Sequence, residues 1–271
     1  MAGARALLSR MLYSEASLGT SAGFRLALRR RHQVDGPHGR PRAPWRNAVL
    51  KTRREWEEAT AQVKALGLHS HPTPQKNWDS LAALACTLER TGPSARILDA
   101  GAEVYSVILP WLFLYGYRNL VGINLTFDRT VRRGPIRYER GDLTHSRFDA
   151  GSFDAIICQS VLEHGVDVTA YLAETARLLR PGGLVMTSVD YFDAPTDTGG
   201  IRPYGMDYRV FSRADVTALL ATARGFGLVP CDPIDLSCEE RAIQWETYGL
   251  EYTFLMLTLQ KAPNGIEEQP S

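Results

Sequence analysis

The stretch ILDAGAEVYS, residues 97–106, contains a short apolar run that ends at Asp99 and is followed by Gly101. A short apolar run bounded by a glycine is typical of a buried β-strand that leads into a tight turn. A nucleotide-type cofactor loop has further glycines after the first, where this chain has Glu103 and Tyr105. The stretch therefore predicts a strand and a turn, and leaves open whether the loop still holds a ligand.

The segments on both sides alternate between helical patterns and short apolar runs. Trp56, Ala59, Val63 and Leu66 recur at helical spacing, and residues 77–90 form a second helical pattern. Strand patterns follow at residues 119–125, 136–143, 153–161, 184–191, 226–232 and 249–261, with helical patterns at 106–116, 167–179 and 212–223. Continuous apolar strands indicate a sheet that helices cover on both faces. The sequence predicts an α/β fold, a doubly wound, Rossmann-like, mostly parallel sheet whose last strand is antiparallel.

The charge is distributed unevenly along the 271 residues. Lys plus Arg number 31 and Asp plus Glu 30, but residues 1–46 hold nine Arg against two acids, Glu15 and Asp35. Residues 1–46 are predicted to be a basic, flexible arm, either a transit peptide, a disordered arm or an extension without a role. Residues 47–262 are predicted to form one domain that includes two N-terminal cap helices, and residues 263–271 a polar tail.

The composition also excludes several classes of protein. The acidic balance of the folded part argues against a nucleic-acid partner. No apolar run approaches the roughly 20 residues that a membrane span requires, which argues against a membrane partner. The four cysteines show no C-x-x-C spacing and are expected to be thiols in a reducing compartment. The cytoplasm is the expected location, with the mitochondrion as the alternative because of the Arg-rich N-terminus.

Polar side chains stand where the predicted strands end. Ligands of a doubly wound sheet bind beyond the carboxyl ends of its strands. The expected site therefore contains the polar residues at these ends, namely Asp99, Asn124, Asp142, Gln159 and Asp190.

The series ILDAGAE, LVGINL, YERGDL, FDAIICQSVLEH and LLRPGGLVMTSV resembles the class I S-adenosylmethionine-dependent methyltransferases, over about residues 78–260. The resemblance implies S-adenosyl-L-methionine as the cofactor and a small-molecule methyl acceptor, methylated on O or N. It places Asp99 and Gly101 against the methionine portion of the cofactor. Asp142 would accept from the adenine amino group with Leu143 beside the ring, and Gln159 would lie near the transferred methyl group.

Two residues depart from the family pattern. Glu103 stands where the family has glycine, and we expect it to meet the ammonium group of the cofactor. Asn124 stands where the family has an acid that binds the ribose hydroxyls, and its amide retains one acceptor and one donor. A turn residue is the alternative interpretation of Asn124. Together these departures favour a second hypothesis, a catalytically silent binding protein that keeps the methyltransferase fold.

The catalytic candidates are His164, Asp190 and Tyr191. An imidazole near a methyl-accepting hydroxyl can remove its proton, because its pKa lies near neutral pH. Asp190 is expected to orient acceptor hydroxyls and Tyr191 to line the acceptor pocket. No metal is expected, since Ser160 stands where metal-binding relatives have an acid. Ser160 and Glu163 also have the spacing of a capping box, which predicts the start of a helical turn.

Overall fold

The structure of the protein is a computed structural model that describes residues 13–263. Within these residues the strands are Ala48–Val49 (β1), Arg96–Ala100 (β2), Asn119–Asn124 (β3), Val131–Arg133 (β4), Ile136–Arg140 (β5), Phe153–Gln159 (β6), Leu179–Tyr191 (β7), Leu228–Pro230 (β8), Ile243–Trp245 (β9) and Leu250–Lys261 (β10). The α-helices are Glu15–Leu18 (α1), Ser21–His32 (α2), Arg53–Ala65 (α3), Asn77–Arg90 (α4), Ile108–Leu114 (α5), Val168–Leu178 (α6) and Arg213–Gly225 (α7). Short 3₁₀ helices occupy Pro74–Lys76, Pro203–Gly205 and Glu246–Tyr248.

The strands form one sheet in the order β1-β10-β7-β6-β2-β3-β5-β4, with β8 and β9 paired to β10. Strands β7, β6, β2, β3 and β5 are parallel, whereas β10 is antiparallel to β7, with Leu255 opposite Val189. The predicted doubly wound, mostly parallel sheet with an antiparallel last strand is confirmed. The strand order reverses between β2 and β6, so a ligand is expected at the carboxyl ends of these two strands.

Helix α4 is almost completely buried, with twelve of its fourteen residues in the interior. Its alanines and leucines allow close packing on the sheet, where it contacts β6 and β10. Helix α3 packs against α4 and buries Ala59 and Val63. The two helices that were expected to cap the ligand side therefore belong largely to the core layer on one face of the sheet.

Residues 21–46 also pack on the domain, which corrects the expectation of a flexible arm. Helix α2 buries Phe24, whose ring lies 5.4 Å from that of Phe113. Trp45 stacks on Trp78 at 5.9 Å between ring centroids and donates from Nε1 to the Trp78 carbonyl at 3.1 Å. The apolar stripe of α2 lies between arginines, and composition alone did not reveal it. Residues 1–12 and all of the predicted tail except residue 263 lie outside the described residues.

Two helices begin with side-chain caps. The carboxylate of Asp167 accepts from the Ala170 amide at 3.0 Å, and Ser212 and Asp215 form a capping box at α7. Between residues 13 and 263, no helix has the length and apolar character needed to cross a membrane.

Candidate functional site

The turn after β2 depends on Gly101. Its φ of +94° lies in the left-handed region that side chains other than glycine rarely adopt. The amides of Gly101 and Ala102 both donate to the Ile123 carbonyl, at 2.8 and 2.9 Å, so the turn is fixed against β3. A Cβ atom added to Gly101 would lie 2.4 Å from Cγ2 of Val161. A side chain at Gly101 would therefore displace the segment that follows β6.

Asn124, at the carboxyl end of β3, fastens this turn from the other side. Its Nδ2 donates to the carbonyls of Gly101 (3.3 Å) and Ala102 (3.1 Å) and to Oε1 of Glu103 (3.3 Å). Its Oδ1 accepts from the Thr126 amide at 3.0 Å. A carboxylate has no N–H and could not make the three donated bonds. The Asn that departs from the family pattern thus has a definite structural role.

Asp99 supplies an unsatisfied acceptor at the end of β2. The residue is 4% exposed, and its Oδ2 has no hydrogen-bond partner in the described part of the chain. Burial and the neighbouring charge of Glu103 raise the pKa of Asp99 to about 7. Because a buried polar atom without a partner is costly, this oxygen fits a site that a ligand completes.

The remaining cofactor candidates lie at two further strand ends. Oδ1 of Asp142 accepts from the amide and hydroxyl of Thr144, at 2.8 and 2.6 Å, so one of its oxygens serves a turn. Leu143 is half-buried beside it. The amide oxygen of Gln159 lies 3.5 Å from the Ser80 hydroxyl, while its buried Nε2 lacks a partner among residues 13–263. Gln159 therefore offers a free donor at the end of β6.

Buried acids collect beyond the ends of β6 and β7. Glu163 is fully buried, and neither of its carboxyl oxygens has a hydrogen-bond partner in the described residues. Burial, followed by the charge of Asp190, raises the pKa of Glu163 well above its usual value. A turn forms at residues 162–165, where the His164 amide donates to the Val161 carbonyl at 3.1 Å, but the predicted capping box does not, since Ser160 has a φ of +52° and the Glu163 carboxyl accepts no bond. The uncharged form of Glu163 is therefore favoured.

Asp190 links these acids to a cation that the sequence analysis missed. Its Oδ2 accepts from the Tyr208 hydroxyl at 2.7 Å, and its Oδ1 lies 3.7 Å from Nζ of Lys76. Lys76 also contacts the Ser160 hydroxyl and lies 4.0 Å above the ring of Phe254. The signal that could have identified Lys76 is its position directly before a nearly all-buried helix, because a cation at such a place has to meet buried partners.

His164 lies at the edge of this cluster. Its ring is 5.7 Å from that of Tyr204 and 5.4 Å from that of Tyr208, and its Nδ1 is buried. Burial lowers the pKa of His164 below its usual value, against a smaller opposing effect of Asp190. The imidazole is therefore neutral at physiological pH and able to accept a proton.

Tyr191 is not brought together with the other two catalytic candidates. It is fully buried, and its hydroxyl donates to the Leu236 carbonyl (3.2 Å) and to Asp193 (3.3 Å). Neighbouring residues of a strand point to opposite faces of the sheet, and Asp190 already faces Tyr208. Tyr191 is therefore a core residue of the other face.

A cleft of about 340 Å³ lies at the opposite end of the sheet. Its lining includes Thr91, Asp154, Arg180 and Gly182, and none of the candidate site residues. Asp154 is already engaged there by Arg180 at 2.6 Å. The carboxyl-end cluster, not this cleft, has the position and the unsatisfied polar atoms of a ligand site.

Residues 98–187 match the family described as "Methyltransferase domain". Ubiquinone biosynthesis O-methyltransferases from three strains of Xanthomonas oryzae pv. oryzae are 53% identical over 38 residues, which is 14% of this chain and 16% of the relatives' length.

Among solved structures, a protein described as a sarcosine dimethylglycine methyltransferase from Galdieria sulphuraria matches with a TM-score of 0.50 at 16% identity, over 70% of this chain and 87% of its own. The 1,6-didemethyltoxoflavin-N1-methyltransferase of Burkholderia thailandensis is 22% identical with a TM-score of 0.47, over 79% of this chain and 92% of its own. Residues 98–187 are therefore a methyltransferase domain, set in a sheet with the Rossmann-like fold of the S-adenosylmethionine-dependent methyltransferases.

Proposed function

We propose that this protein is a methyltransferase that uses S-adenosyl-L-methionine to methylate a small molecule on O or N. The observation that carries the proposal is the juxtaposition of two unlike groups of side chains at the switch point of the sheet. The glycine turn and the unpartnered Asp99 lie at the end of β2, and the acid–base cluster of His164 and Asp190 follows β6 and β7. The residues present fit a bound cofactor, because free acceptors and donors remain at Asp99 and Gln159.

When bound, the cofactor supplies an electrophilic methyl group on a sulfonium. The chain then has to align the acceptor and take its proton. Neutral His164 is assigned as the base that takes the proton of the acceptor. Asp190, held by Tyr208 and Lys76, orients the acceptor.

The test is calorimetric titration with S-adenosylmethionine and S-adenosylhomocysteine. We expect both to bind the wild-type protein and neither to bind Gly101→Val, since a side chain there distorts the turn and displaces Val161. Gly92→Val is the matched control, because a Cβ at Gly92 meets no atom within 4 Å. Asp99→Asn keeps the shape of the side chain, so a loss of affinity in this variant reports on the site and not on the fold. Equal affinity of Gly101→Val and wild type would refute the assigned pocket.

The alternative function is a silent binding protein, which Glu103 and Asn124 favour by their departure from the family pattern. If the protein has lost its cofactor site, even the wild type would bind neither S-adenosylmethionine nor S-adenosylhomocysteine. We retain the cytoplasm as the proposed location, which the free thiols Cys86, Cys158, Cys231 and Cys238 support.

A further inference from the structure

We propose that Glu103, on the loop after β2, supplies the carboxylate that binds the ribose hydroxyls of the cofactor, and that Asn124 holds that carboxylate in place. The inference rests on the proposed binding of S-adenosylmethionine. It replaces the expectation that Glu103 binds the ammonium group and that Asn124 itself binds ribose.

The position of a ribose in a doubly wound sheet follows from the topology. An acid about 20 residues after the glycine turn, at the end of the next strand, accepts hydrogen bonds from the ribose hydroxyl of a bound nucleotide. In this chain that place belongs to Asn124, at the end of β3. Its amide nitrogen is engaged by two carbonyls and Glu103, and its oxygen by the Thr126 amide. Asn124 therefore has little hydrogen-bonding capacity left for a diol.

The missing negative charge is nevertheless present at the same strand end. Oε1 of Glu103 accepts from Nδ2 of Asn124 and from the hydroxyl of Thr126, both at 3.3 Å. Both donors belong to the end of β3 or the turn after it, so the carboxylate lies at that strand end although Glu103 belongs to the preceding loop. Oε2 of Glu103 makes no hydrogen bond to any residue between 13 and 263. A half-buried carboxylate with one fixed and one free oxygen can accept from a vicinal diol.

The swap also explains why the two departures from the family pattern occur together. An acid at position 124 would face the Glu103 carboxylate across 3.3 Å and could not donate to it. A glycine at position 103 would leave the strand end without a negative charge. The side chains of Glu103 and Asn124 are complementary, whereas each alone looks like a defect.

The experiment measures affinities for three ligands by calorimetry. They are S-adenosylhomocysteine, its 2′-deoxy analogue, and 5′-methylthioadenosine, which keeps the ribose but has no ammonium group. Wild type is compared with Glu103→Gln, Asn124→Asp and Asn124→Ala. Glu57→Gln is the matched control, an exposed glutamate on α3 away from the site. Melting temperatures of all variants establish that the fold is intact.

We expect Glu103→Gln to lower the affinity for S-adenosylhomocysteine and 5′-methylthioadenosine alike, by about tenfold or more, because bonds to a charged acceptor are lost. Removing the 2′-hydroxyl should cost wild type a similar factor and cost Glu103→Gln little more. Asn124→Asp should weaken binding through repulsion, and Asn124→Ala should weaken it because Glu103 is released.

Three results would overturn the inference while the wild type still binds S-adenosylhomocysteine. One is unchanged affinity in Glu103→Gln. Another is a loss for S-adenosylhomocysteine without a loss for 5′-methylthioadenosine, which would assign Glu103 to the ammonium group. The third is the same cost of removing the hydroxyl in wild type and Glu103→Gln. A wild type that binds neither S-adenosylhomocysteine nor S-adenosylmethionine would refute the proposed function itself.

Discussion

A single residue of the site, Asp99, lowers the stability of the folded protein. Its carboxyl has a pKa raised to about 7 by burial and by Glu103, above the usual value of 3.8. The folded protein therefore holds this proton over a pH range in which the unfolded chain releases it. The stability associated with the protonated form is complete below about pH 4 and is lost as the pH rises toward 7.

Asp99→Asn should remove this pH dependence, because the amide stays neutral. We expect the variant to gain stability relative to wild type between pH 5 and pH 8, by up to about 4 kcal/mol at the higher pH. Urea unfolding at both pH values measures the difference. Asp128→Asn is the control, since Asp128 is exposed on the turn after β3. A constant difference between Asp99→Asn and wild type across this range would contradict the raised pKa.

Among the elements, α2 decides whether the basic N-terminal segment is an appendage. Phe24 is buried against Phe113, whereas Leu26 on the same helix is exposed. Phe24→Ala should lower the free energy of unfolding by about 3 kcal/mol, the usual cost of truncating a buried phenylalanine. Leu26→Ala should change it by less than about 0.5 kcal/mol. Guanidinium unfolding of both variants is the measurement. Equally small effects of the two substitutions would support the original prediction of a flexible arm.

The order of strands and helices was predictable because periodicity and turn residues act locally. The antiparallel last strand was predicted, and so were helical patterns that start at residues 167 and 212, where Asp167 and Ser212 cap α6 and α7. The position of Tyr191 was also within reach, since a residue that follows Asp190 in a strand has to point the other way.

Side-chain pairs between distant segments were not predictable. Lys76 and Asp190 are 114 positions apart, and nothing local to the lysine indicates its partner. The bond between Asn124 and Glu103 likewise depends on the register that brings the loop after β2 to the end of β3. The packing of α2 was hidden because its apolar residues are interspersed with arginines.

At the scale of the molecule, Lys76 joins the start of α4 to the ends of β6, β7 and β10. Its Nζ lies 3.7 Å from Oδ1 of buried Asp190, and its charge opposes the rise in the pKa of Glu163. Removing one partner of a buried charge group leaves the other uncompensated.

Lys76→Met should therefore destabilise the protein by about 3–5 kcal/mol near neutral pH. The loss should shrink as the pH falls, because the raised pKa of Glu163 favours its uncharged form, which needs no compensating cation. Glu163→Gln added to Lys76→Met should recover part of it. Lys64→Met, at an exposed lysine of α3, is the control for the loss of one positive charge. The assignment fails if the two lysine variants unfold alike at every pH.

The bond from Asn124 to Glu103 makes the two positions epistatic. Restoring the family acid at position 124 alone places two carboxylates together, and restoring glycine at position 103 alone removes the carboxylate and leaves the Asn124 amide only its bonds to the Gly101 and Ala102 carbonyls. Either single reversion is expected to bind the cofactor less tightly than the present pair. A stepwise return to the family pattern would therefore pass through a weaker-binding intermediate. Profiles that score positions independently count two losses here, although the chain has exchanged one arrangement of a carboxylate for another.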